Sequence, residues 1–122
     1  MKHTILVATA VLWIGLAHFA TGPRIALAGT ATGQVTTLVA SHDTPGGPGL
    51  VYIQLSGGVD YSGRPACNTQ YRFAINPAWP GGRNVIAIAL AALYSGRTLG
   101  VVGQGNCSLW GDSETLGYIE QH

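Results

Sequence analysis

One stretch of this chain constrains the fold more than any other. Val85 to Tyr94 (Val-Ile-Ala-Ile-Ala-Leu-Ala-Ala-Leu-Tyr) is an uncharged run longer than most strands and rich in alanine, the best helix former. Breakers stand on both sides, with Pro77, Pro80, Gly81 and Gly82 before it and Ser95-Gly96 after it. The run therefore reads as a helix with Asn84 as its N-cap and Gly96 as its C′ residue. Ile86, Leu90 and Leu93 share one stripe, and Ala87 and Ala91 form a smooth opposite one. No charge interrupts the run, so cover is expected on most sides, either from its own domain or, along the alanines, from a neighbouring subunit.

The segments around the helix read as strands. Thr32 to Ala40 alternates, with Val35, Thr37 and Val39 on one face and Thr36 and Leu38 on the other. Ser41 to Gly49 is a Gly/Pro breaker cluster, and Leu50 to Ser56 is a second strand, so the two predict an antiparallel hairpin. After a loop from Gly57 to Pro65, Thr69 to Ile75 alternates Tyr71, Phe73 and Ile75 against Arg72 and Ala74, which places Tyr71 in the core. Beyond the helix come a strand from Thr98 to Val102, a cysteine-bearing loop from Gly105, and a closing strand that runs to Ile119. Together these predict a mainly β fold: a small five-stranded Greek-key OB-fold barrel with one α-helix between strands three and four.

The first residues have a different character. Lys2 and His3 precede an apolar stretch from Ile5 to Ala20, and Ala26-Leu27-Ala28 offers a small-x-small cleavage site. This is the layout of a secretory signal peptide over residues 1–28, which leaves 29–122 as one domain that is secreted or periplasmic. A second cleavage candidate lies at Ala20. Ile5 to Ala20 falls short of the roughly 20 apolar residues needed to cross a bilayer, so the mature protein is not expected to span a membrane.

Residues 29–122 carry Arg64, Arg72, Arg83 and Arg97 against Asp43, Asp60, Asp112, Glu114 and Glu120, and no lysine. Nucleic-acid binding depends on clustered Lys and Arg to neutralise phosphates, so this balance speaks against it, and against an anionic membrane surface. Cys67 and Cys107 in an exported chain of this size read as one disulfide. Metal binding is the alternative for such a pair, but neither Cys-x-x-Cys spacing nor a nearby histidine is present. No metal or other cofactor is expected.

The order Gly-Gln-Val-Thr-Thr-Leu (33–38), a cysteine before strand three, Ala-Leu-Ala-Ala-Leu-Tyr-Ser-Gly-Arg-Thr-Leu (89–99) and Cys-Ser-Leu-Trp-Gly-Asp-Ser-Glu-Thr-Leu-Gly-Tyr-Ile (107–119) resembles small exported bacterial proteins. These are related to the receptor-binding B subunits of subtilase cytotoxin and typhoid toxin. The resemblance implies an OB-fold, a ring of five subunits (a homo-pentamer), and binding of sialylated or other glycans without catalysis. The toxin subunits hold sialic acid partly through a hydroxyl residue that opens strand one beside a glycine, a place matched by Thr32 before Gly33. They also use a tyrosine near the end of the strand after the helix, where this chain departs with Val102, Gly103 and Gln104.

Two short motifs suggest hydrolytic chemistry, but neither has the supporting residues. Gly111-Asp112-Ser113 is near the C-terminus with no Asp-x-x-His after it, so Asp112 and Ser113 are expected to order a turn ahead of the last strand. Ser41-His42-Asp43 places three catalytic residue types side by side in a loop, whereas a triad is assembled across a fold. No catalytic residue is assigned. Aromatic rings that stack on sugar C–H faces are the better indicators of function. Tyr61 with Arg64 in the loop before strand three, together with Thr32, Gln104 and Trp110, form the predicted ligand-binding set. Trp79, between Pro77 and Pro80, is as easily read as a cover for the barrel end.

Overall fold

The computed structural model describes residues 27–42, 49–57 and 63–122. The expected signal segment falls outside the described residues except for Leu27 and Ala28, and Tyr61 lies outside them as well. The elements are β1 (Thr30–Ser41), β2 (Leu50–Leu55), β3 (Phe73–Ile75), α1 (Gly82–Ser95), β4 (Thr98–Gly103) and β5 (Glu114–Gln121). The fold is mainly β, with the helix between the third and fourth strands as the sequence predicts.

β1 and β2 form the expected antiparallel hairpin, and β3 pairs antiparallel to β2. β3 then runs parallel to β5, β5 pairs with β4, and β4 returns to β1. The strand order β1-β2-β3-β5-β4 thus closes on itself as a barrel. Ile53, Phe73, Leu99 and Val101 fill its interior. Ala89 and Ala92, both fully buried, bring the helix against this core, and Val85, Ile86 and Ile88 pack beside them. Cys67 and Cys107 are disulfide-bonded, which ties the loop before β3 to the loop before β5. No helix among the described residues is long and apolar enough to cross a membrane.

Several sequence expectations need correction. α1 begins at Gly82 with Gly81 as its N-cap, so Asn84 lies inside the first turn. Gly96 does end the helix, in the left-handed conformation at φ 67°. The stripe that meets the core is Ala89 and Ala92, both buried, with the partly buried Val85, rather than the leucines. Leu90, Leu93, Ala87 and Ala91 face outward and Tyr94 is 87% exposed, so the helix is covered on one side of this chain and not on most. β3 is only three residues long. Residues 69–72 instead turn, and Tyr71 takes φ 55°, a left-handed conformation that ends the alternation and leaves its ring exposed beneath Arg64. β1 carries a register shift between Val35 and Thr37. The extra residue reverses the faces, so Val35 and Leu38 both meet the core, and Val35, Thr37 and Val39 do not form one face.

Candidate functional site

A cleft of about 390 Å³ opens where the N-terminus of α1 meets β5. Its rim carries two exposed rings, Trp79 at 42% and Tyr118 at 56% of their accessible surface, and its floor is apolar, from Ile75, Val85 and Leu116. Asn76, Asn84 and Gln104 supply side-chain amides, and no charged side chain lines it among the described residues. Pockets that bind small molecules combine an apolar floor with a few placed polar groups, and this cleft has that composition.

Local folding places each ring. Asn76 Oδ1 accepts the Ala78 N–H at 2.9 Å, and the Asn76 carbonyl accepts the Trp79 N–H at 3.2 Å. The Trp79 carbonyl in turn accepts the Gly82 N–H at 2.9 Å, so this short turn fixes the indole over the helix start. Tyr118 is turned outward by an irregularity in β5, where Val102 pairs with Tyr118 but Gly103 pairs with Leu116, which skips Gly117. Strict alternation would point Tyr118 and Leu116 the same way. With Gly117 bulged, Leu116 and Ile119 face the core and Tyr118 borders the cleft. Gln104 is held by its own Nε2–H donated to the Leu116 carbonyl at 3.0 Å.

Of the predicted set, only Gln104 borders this cleft. Thr32 is exposed on β1, paired with Gly100 of β4, which is itself paired with Glu120 of β5. A Cβ at Gly100 would stand 3.0 Å from Glu120 Oε1 and 3.1 Å from His122 Nε2, so a carboxylate and an imidazole fill the hollow next to Thr32. His122 is secured: its N–H donates to the Thr98 carbonyl at 3.0 Å, and its own carbonyl accepts from Arg97 Nε at 3.2 Å. Gly103 lies directly under the buried Glu114 carboxylate, so any side chain there would overlap it.

Arg64 and Trp110 belong to two braces. The Arg64 guanidinium lies 4.5 Å from the Tyr71 ring centroid and donates to the Asn68 carbonyl. Trp110 meets Tyr52 edge to face at 6.0 Å, and Arg72 stacks on both, 4.1 Å from the Tyr52 centroid and 5.7 Å from that of Trp110. Arg72 Nε also donates to Ser113 Oγ at 2.6 Å, and its Nη2 donates to Asp112 Oδ1 at 2.9 Å. Ser113 Oγ–H donates to the same Asp112 oxygen at 2.7 Å. That bond, and then the Arg72 guanidinium, hold the Asp112 carboxyl below its ordinary range. The Gly-Asp-Ser triplet therefore closes a turn, with the Ser113 N–H on the Trp110 carbonyl at 3.0 Å, and Ser113 is fully buried inside the clamp.

Sequence reasoning missed Asn76 and Tyr118 as cleft residues and left Trp79 undecided. A tryptophan held in a Pro-x-x-Pro turn cannot sit inside a strand, and that was the available signal. Comparison with protein-family models, with curated proteins and with solved structures found no match for this chain.

Proposed function

We propose that this protein is an exported, non-enzymatic OB-fold module that binds neutral glycans in the Trp79–Tyr118 cleft, a role similar to that of toxin B subunits. The observation that carries the reading is the cleft itself: two exposed rings and three amides around an uncharged apolar floor. Pyranose C–H faces stack on such rings while amides bond the hydroxyls, and a lining without charge favours neutral sugars over sialylated ones. The strand order, with β3 parallel to β5 and the helix between β3 and β4, is consistent with the OB-fold. The Cys67–Cys107 bond fits an oxidising compartment, secreted or periplasmic. A glycan array decides the matter. Wild type and Thr32→Ala are expected to retain the same neutral oligosaccharides and Trp79→Ala to lose them; a blank array, or retention of sialylated glycans alone, contradicts the proposal.

The outward face of α1 supports a second element, association of copies. Leu90, Leu93 and Tyr94 stand exposed on the outward side of the helix. The ring of five implied by the toxin resemblance would cover it. Gel filtration with light scattering is expected to give about five times the mature mass. A multimer with a blank array would favour the alternative, a periplasmic structural or protein-interaction module without a sugar site.

A further inference from the structure

Glu114 opens β5 and is fully buried. Its Oε1 accepts two backbone N–H groups, from Gly29 and from Gly105, each at 2.9 Å. Its Oε2 is buried with no hydrogen-bond partner, and the ion pairs among the described residues join Arg72 to Asp112 and His122 to Glu120, leaving Glu114 without a cation. A buried carboxylate with one oxygen unsatisfied is costly, and the Gly29 amide has no second N–H to give.

The residue that touches this carboxylate is the one that follows the small-x-small sequence Ala26-Leu27-Ala28. We propose that cleavage after Ala28 makes Gly29 the N-terminus of the mature protein, and that its α-ammonium is the built-in counter-charge of Glu114. Hydrolysis of the Ala28–Gly29 bond by an endopeptidase of the export route consumes one water. The hydroxyl goes to the Ala28 carbonyl carbon and a hydrogen to the Gly29 nitrogen. The amine then takes up a proton, as α-amino groups do at neutral pH. One atom, already 2.9 Å from Oε1, thereby gains two further N–H donors and a positive charge. The strand ladder fixes it there, because the Gly29 carbonyl accepts the Gly103 N–H at 2.8 Å and Thr30 pairs with Val102. Gly29 is itself buried in that seam, so the cut precedes docking of β1 on β4, and the cleaved chain closes the barrel better than the uncleaved one.

The sequence offers an unusually clean test. Lys2 is the only lysine, so a chain starting at Gly29 contains a single amine, its own N-terminus. The full chain is expressed in an exporting bacterial host, and the intact mass of the purified protein is measured. A mass beginning at Gly29 is expected; one beginning at Thr21, or elsewhere, overturns the proposal. Acylation by an N-hydroxysuccinimide ester is then timed. Folded protein is expected to react at least ~100-fold more slowly than the same protein in urea, and Glu114→Gln to restore at least ~10-fold of that rate. Equal rates folded and unfolded, or a folded Glu114→Gln variant as unreactive as wild type, contradict the ion pair. If that variant does not fold, the wild-type comparison between folded and unfolded protein decides the question.

Discussion

Two regions of this molecule hold a tryptophan, a tyrosine and polar side chains, yet they differ in kind. Around Trp110, the polar groups bond one another: Arg72 stacks on Tyr52 and Trp110 and bonds Asp112 and Ser113, and Ser113 bonds Asp112. Around Trp79, the rings lie open beside a cavity that the amides of Asn76, Asn84 and Gln104 also line. The first region is closed on itself and works as a brace at the disulfide end of the barrel. The second has the open form of a recognition site. Residue types alone do not separate the two; what separates them is that the side chains of the first bond and stack on one another, whereas Asn76 and Gln104 of the second bond only to backbone and border an open cavity.

The comparison can be broken at several points. The largest effect is expected from Cys67→Ser with Cys107→Ser, which releases a loop with a sequence separation of 40 residues. Unfolding in urea is expected to show a loss of about 3–4 kcal/mol, with cleft binding unchanged at low temperature where the protein stays folded. Arg72→Ala comes next. It removes two charge-assisted hydrogen bonds and two stacked contacts and is expected to cost about 2–3 kcal/mol in the same measurement. Glycan affinity is expected to hold; lost affinity with full stability would turn the brace into a site. Trp79→Ala should give the mirror image, less than about 1 kcal/mol of stability but at least a ~10-fold weaker affinity by calorimetry.

The smallest effect concerns acid. The Asp112 carboxyl is held below its ordinary range in the folded chain, so its contribution is fully present above the unfolded value near ~3.9 and fades as pH falls through the lowered one. Because its side chain is 40% exposed, that contribution is expected to be no more than about 0.5 kcal/mol. Thermal melts between pH 5 and pH 2 should show a slightly shallower acid limb for Asp112→Asn. An unchanged limb would remove Asp112 from the brace.

How much of this was legible in the sequence depended on periodicity. The helix, its glycine terminator, the first hairpin and the cysteine pair all follow from local composition, and each is present. What could not be read were places where one residue alters the count. The shift between Val35 and Thr37 exchanges the faces of β1, the skipped Gly117 turns Tyr118 out of the core, and the left-handed Tyr71 shortens β3. Such bulges are set by closure of the barrel, not by the residues that bear them. The predicted binding set rested on other grounds. Thr32 was chosen by resemblance, but its neighbourhood is set by Glu120 and His122 arriving from the far end of the chain. In the sequence Glu114 counts only as one of the acidic residues, because nothing local says that Gly29, Gly103 and Gly105 converge on it.

The two described tryptophans provide the most direct test, one in each region. Heteronuclear NMR of the mature protein, titrated with the neutral oligosaccharide that the array retains best, reports both indole N–H resonances at once. The account predicts that the Trp79 signal moves in a saturable way and that the Trp110 signal stays in place. Movement of Trp110 with Trp79 unmoved would contradict it and transfer the site to the brace.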